Sequence, residues 1–157
     1  MRTVVTTLLL LLTTLPIVGQ QAMFQWRDHL PYRTVIDVTQ SDEMIYAATP
    51  YALIEVNKSS GEVSAISKTN FLSGLNISAV QYIDEAETLL IGYESGNLDI
   101  FTNNVFYNMP DIKLASVQGS KAINDIHYYD GLVYLSCDFG IVVINAQERN
   151  VKDSYFI

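Results

Sequence analysis

The sequence has 157 residues, the size of one ordinary domain, with 17 Asp plus Glu against 9 Lys plus Arg and a single cysteine. A chain this acidic repels phosphate backbones and anionic lipid, which excludes nucleic acid as a partner. The lone Cys137 has no partner for an internal disulfide and, at a strand position, reads as a small buried apolar residue, so stability has to come from packing.

The first predicted element is a leader. Met1 and Arg2 precede an apolar, leucine-rich run over residues 4–15, followed by Pro16 and small or apolar residues up to Gly19. Charge, apolar core and small-residue exit in that order read as a secretory signal peptide over residues 1–19, with Gln20 as the new N-terminus and export as the consequence. Thr6, Thr7, Thr13, Thr14 and Pro16 break up the run, whereas a membrane anchor wants about 20 uninterrupted apolar residues. No cysteine follows for lipidation. Loss of Arg2 with the leader makes the remaining chain more acidic still. Next comes QWRDHLPY (25–32), in which Trp26, Arg27, Asp28 and His29 form the densest mixed cluster of the chain. They are candidates for contact with a partner, the alternative being that they seal the structural unit that follows.

From there the chain repeats itself. VIDV (35–38), ISAVQY (77–82) and INDIHYY (123–129) alternate with period two, as half-buried antiparallel strands do. Each is followed by a turn: Ser41-Asp42-Glu43, the longer Asp84 to Glu87, and the hairpin pair Asp130-Gly131. The next strands, MIYAAT, LLIGY and VYLSC, are the most apolar and fit strands packed on both faces. A second turn, with Gly96 and Gly140 in repeats two and three and Pro50-Tyr51-Ala52 in repeat one, leads into ALIEVN, NLDIFTN and IVVINAQ. EVSAIS, VFYNM and NVKDSYFI close the repeats as weaker, polar-leaning edges. No long amphipathic helix pattern intervenes.

Ala52, Gly96 and Gly140 recur at an interval of 44 residues, as do Val56, Ile100 and Ile144. A period of roughly 40–50 residues built from short strands is the signature of a β-propeller with one four-stranded blade per repeat. The chain is therefore expected to be all-β, a partial propeller over residues 20–157 with about three four-stranded antiparallel blades near 30–67, 72–110 and 120–157. Closed rings have typically 4–8 blades, so these three are expected to be part of a larger one.

Chemistry is sparse. His29 and His127 are far apart in the sequence, and no paired-histidine metal motif, nucleophile elbow or phosphate loop occurs. No cofactor, metal or catalytic group is expected. Asp84, Glu85 and Glu87 carry the hard oxygen ligands that suit calcium but lack the alternating order of a calcium loop, and they read as a solvated turn. The 10 Tyr, 6 Phe and 1 Trp allow a polar-tipped aromatic surface of the kind that takes glycans or proteins, although most should be core.

Residues 71–101 resemble the two-component-regulator propeller repeat, with Gly74-Leu75, Leu89-Leu90-Ile91-Gly92 and Gly96-Asn97-Leu98 in the places of its G-L, L-x-I-G and G-x-L signatures. The third repeat departs from it, Leu135-Ser136 replacing Ile-Gly. QWRDHLPY just after the leader, together with YLSCDFGIVVIN (134–145), is similar to the N-terminal propeller of the PorZ family, surface components of the type IX secretion system of Bacteroidetes. That resemblance implies an exported protein with two propellers and a C-terminal sorting domain, working with a sortase-like protease and its shuttle partners to attach cargo to surface lipopolysaccharide. The implied partners are proteins of the secretion and sortase complex, and lipopolysaccharide or another glycan. The residues up to Ile157 hold neither the second propeller nor the sorting domain. The alternative reading is the periplasmic glycan-sensing propeller of a hybrid two-component regulator.

Overall fold

The computed structural model describes residues 34–157. The leader and the cluster Trp26, Arg27, Asp28 and His29 lie outside the described residues. The described chain folds into three four-stranded antiparallel sheets, each with its strands in sequence order. The first holds β1 (Asp37–Gln40), β2 (Met44–Ala48), β3 (Ala52–Asn57) and β4 (Val63–Ser67). The second holds β5 (Ile77–Ile83), β6 (Thr88–Tyr93), β7 (Leu98–Thr102) and β8 (Val105–Met109), and the third β9 (Ile123–Tyr129), β10 (Leu132–Cys137), β11 (Gly140–Asn145) and β12 (Asn150–Phe156). The sheets stand face to face as blades, β5 lying against both β1 and β9. This is the all-β propeller-blade architecture that the repeats predict. Among the described residues helix is confined to the 3₁₀ turn Asp84–Ala86 and the one-turn α1 (Asp111–Leu114). The first strand begins two residues later than its alternation suggests, at Asp37.

Two apolar seams hold the blades together. Tyr46, Ala48 and Leu53 of the first blade meet Val80, Leu89, Ile91 and Tyr93 of the second. Leu90, Leu98 and Ile100 on its other side meet Ile123, Ile126, Val133, Leu135 and Ile144 of the third. Because β6 feeds both seams, its whole length, TLLIGY, is buried. The hydrophobic effect acts between blades rather than within one, since a lone sheet has nothing to cover either face. Gly92 marks how close the second seam is: a Cβ there would lie 2.8 Å from Cγ2 of Ile123.

The even interval of 44 conceals a change of face. Loops of two residues, Pro50-Tyr51 and Asp138-Phe139, join β2 to β3 and β10 to β11, but the loop joining β6 to β7 has three, Glu94-Ser95-Gly96, closed by the Tyr93 N–H on the Asn97 carbonyl at 3.1 Å. Gly96 sits there at φ +76°, a left-handed conformation that the third residue of such a loop requires. One added residue shifts the register by one and turns every following side chain over. Val56 therefore pairs with Ile45 and Ile144 with Val133, while Ile100 pairs with Leu90, on the opposite face of its blade. The three are not equivalent in space, contrary to their spacing. Nor is Gly140 a turn residue like Gly96; it opens β11, where a Cβ would stand 2.0 Å from the Tyr155 carbonyl oxygen.

The remaining hairpins follow their turn chemistry. Asp130 (φ 49°) and Gly131 (φ 80°) form the expected two-residue turn with both central residues left-handed. Asn103 (φ 50°) and Asn104 (φ 60°) do the same between β7 and β8. The Asn-Asn pair is the sequence signal for that second turn; asparagine tolerates this conformation because its side chain bonds the local backbone.

Candidate binding cleft

Where the first two blades meet at the end that carries the β1–β2, β5–β6 and β7–β8 turns, they leave a cleft of about 750 Å³. Its aromatic wall is built by register. Tyr46 on β2 and Tyr82 on β5 come from neighbouring blades and stack with ring centroids 5.9 Å apart and planes at 18°. Phe101 adds a third ring and is itself stacked on Phe106 at 4.5 Å. Around the mouth stand Asp42 and Glu43 from the first blade and Asp84 and Glu87 from the second, and none of the lining residues is basic. The Lys58 ammonium lies at one rim, bound to the Ser41 carbonyl at 2.6 Å.

This arrangement makes the cleft electronegative. Burial, and after it Glu55, holds the Tyr46 phenol above its ordinary pKa; burial, and after it Glu87 and Asp84, does the same for Tyr82. Both rings stay protonated and neutral and offer π faces among carboxylates. Such a surface attracts cationic groups and stacks on flat apolar ones. It holds no nucleophile beside a base. Asp84, Glu85 and Glu87, weighed above as calcium ligands, lie on and just after the 3₁₀ turn, and the described residues contain no group of three His, Cys, Asp or Glu that could hold a metal ion.

The other side chains singled out in the sequence are dispersed. His127 is exposed on β9, far along the chain from the cleft residues. Cys137 is buried at the end of β10, and burial, with Asp138 second, pushes its thiol up to about 11, so it stays a neutral apolar group. The polar centre that sequence reasoning missed is Asp99, 1% exposed on β7. Its Oδ2 accepts the Tyr93 hydroxyl at 2.6 Å and the Ser73 N–H at 2.8 Å, and its Oδ1 accepts the Asn108 amide at 2.9 Å. Tyr93 is pushed strongly upward by burial and then by Asp99, which keeps its hydroxyl a donor. The network fastens the connection between the first two blades to the middle blade. A lone acid between Leu98 and Ile100 was the available signal, since a buried carboxylate survives only when its oxygens are satisfied.

Open four-stranded blades, seamed face to face, with an aromatic cleft at one seam define a β-propeller module. Residues 45–157 match the family described as the TSS9 PorZ N-terminal beta-propeller domain, and the chain belongs to that family. Among solved structures it is similar to PorZ, described as an essential bacterial surface component of the type-IX secretion system of Porphyromonas gingivalis, at 24% identity and a TM-score of 0.72, over 77% of this chain and 16% of that one. It is similar too to the extracellular domain of the putative hybrid two component system BT4673 from B. thetaiotaomicron, at 12% identity and a TM-score of 0.67, over 78% of this chain and 17% of that one. The computationally designed Ika4 protein matches at 13% identity and a TM-score of 0.59, over 85% of this chain and 80% of that one. The chain thus spans less than a fifth of the length of the two natural structures. Among curated proteins none matches. No helix of the described residues is long and apolar enough to cross a membrane.

Proposed function

We propose that the chain is a non-catalytic propeller scaffold of type IX secretion, exported by its leader and acting at the cell surface in cargo maturation and attachment to lipopolysaccharide. The observation that carries this reading is the family match over residues 45–157. On it, the cleft at the first seam is where proteins of the secretion and sortase complex engage, and Trp26, Arg27, Asp28 and His29 add contacts of their own to a partner. Deleting the gene should leave many unrelated cargo proteins unprocessed or trapped in the periplasm, with transcription of sugar-utilisation genes unchanged. Surface, periplasmic and medium fractions of deletion and complemented strains would be compared, and an unchanged cargo distribution would sink the proposal.

A second reading is supported by the likeness to the extracellular domain of BT4673: a periplasmic propeller that recognises a glycan and signals across the membrane. The same strains separate the two. A sensor leaves secretion normal and loses one transcriptional response to one glycan.

A further inference from the structure

The cleft at the first seam is furnished for one kind of cation. Every residue that lines it falls between Ser41 and Asn104, on two blades in direct contact. Its volume of about 750 Å³ lies within the range of roughly 300–1,000 Å³ usual for ligand sites. Asp42, Glu43, Asp84 and Glu87 stand exposed at its mouth, and among the described residues none of them has an ion pair or a side-chain hydrogen bond. The ion pair of the described residues, Lys152 with Glu148, belongs to the third blade. Lys58, the cation at the rim, gives its ammonium to the Ser41 carbonyl rather than to a carboxylate. After burial, Glu87, Asp84, Asp42 and Glu43 are what hold the Tyr82 phenol above its ordinary pKa, so all four negative charges bear on one ring.

The shape of the site selects among cations. A divalent metal wants several oxygen ligands converging on one point, and no three carboxylates of the described residues do so. An ammonium is a compact, strongly hydrated charge that gains little from a flat wall. A guanidinium is planar and weakly hydrated, stacks on aromatic faces and presents paired N–H donors to a carboxylate. The wall here is flat and set in advance: half-buried Tyr82 is backed by Tyr46 with planes at 18°, and Phe101 is backed by Phe106 at 4.5 Å. Thr102, Asn103 and Asn104 continue the lining with neutral hydrogen-bonding groups, which suit the amides of a main chain.

We propose that this cleft takes an arginine side chain from an exposed segment of a protein partner. The guanidinium stacks on Tyr82 and Phe101, its N–H groups donate to the carboxylates of Asp84 and Glu87, and the main chain of the segment lies along Thr102 to Asn104. This deepens the reading of the cleft as the place where a partner engages, and rests on it for the partner being a protein.

The full chain would be titrated by NMR with acetyl-Gly-Gly-Arg-Gly-Gly-amide. The Tyr82, Asp84 and Asn103 amides should shift. The peptide should bind roughly fivefold more tightly than the same peptide with lysine, which keeps the charge, or with citrulline, which keeps the plane. Asp84→Asn combined with Glu87→Gln, both at exposed places, should weaken binding roughly fivefold with an unchanged circular dichroism spectrum, and Tyr82→Leu should weaken it roughly threefold. Equal binding of the three peptides, shifts confined to another part of the molecule, indifference to the double substitution, or methylguanidine binding as tightly as the peptide would each overturn the proposal. The secretion reading fails separately, on cargo distribution in the deletion strain, and that result leaves these titrations unaffected.

Discussion

Val38, Val80 and Ile126 occupy one position of the repeat, yet Val38 is 60% exposed while Val80 and Ile126 are each 4% exposed. The side chains barely differ; what differs is whether another blade stands in front of them. The same holds for the apolar strands. β6, between two seams, is buried throughout, whereas β10, with one neighbour, alternates between buried and open. Burial here is a property of the seam, and the value of a residue depends on which face its register selects.

The sharpest way to break that comparison is at the polar centre of the first seam. Asp99→Ala leaves the buried Tyr93 hydroxyl without its acceptor and removes one from the exposed Ser73 N–H and Asn108 amide; at about 1–3 kcal/mol for the buried unsatisfied group and about 1 kcal/mol for each of the other two bonds, the loss should be about 4 kcal/mol by urea unfolding. Retained stability would show that the connection between the blades is not fastened there.

Next comes a pair of substitutions to valine at equivalent places. Gly92→Val drives a side chain into Ile123 and should cost about 3 kcal/mol, the upper part of the range for overpacking. Ser136→Val, at the matching and exposed position of the third blade, should change stability by less than about 0.5 kcal/mol. Equal costs would mean that the two faces are equally crowded.

A smaller contrast is expected between Val80→Ala and Val38→Ala. Two methylene-sized groups leave a seam in the first case, at roughly 2 kcal/mol, and leave water in the second, at less than about 0.5 kcal/mol.

The smallest effect concerns pH. Glu55 shares a cross-strand pair with Tyr46, and burial raises its pKa above the ordinary carboxylate value, the hydrogen bond from Ser64 opposing it. A raised acid pKa in the folded state stabilises below the ordinary value and loses that contribution as pH rises through the raised one. Glu55→Gln should therefore flatten the fall in stability across the weakly acidic range, and an unchanged profile would show that the carboxyl is well solvated.

Much of the fold was legible because it is local. Alternation in 123–129 marks β9 residue for residue, and Asp130-Gly131 specifies its own turn. Register was not, since the single added residue at Glu94 to Gly96 leaves the spacing intact and only the pairing of Ile100 with Leu90 exposes the change of face. The cleft was less legible still. Tyr46 and Tyr82 lie in different repeats and no motif joins them; they meet because the blades do. The cluster expected to contact a partner, Trp26 to His29, falls outside the described residues.

The bonds from Asp37 and Thr39 to the Val80 and Tyr82 amides have a kinetic consequence. Every other hydrogen bond along a blade's ladder breaks only when that sheet comes apart, but these two break when the blades separate with both sheets intact. Their protons should therefore exchange with solvent at the rate of seam opening, faster than the β6 amides that wait for the middle blade to unfold. Two alternate positions of one strand would then time the hinging of the blades separately from their melting.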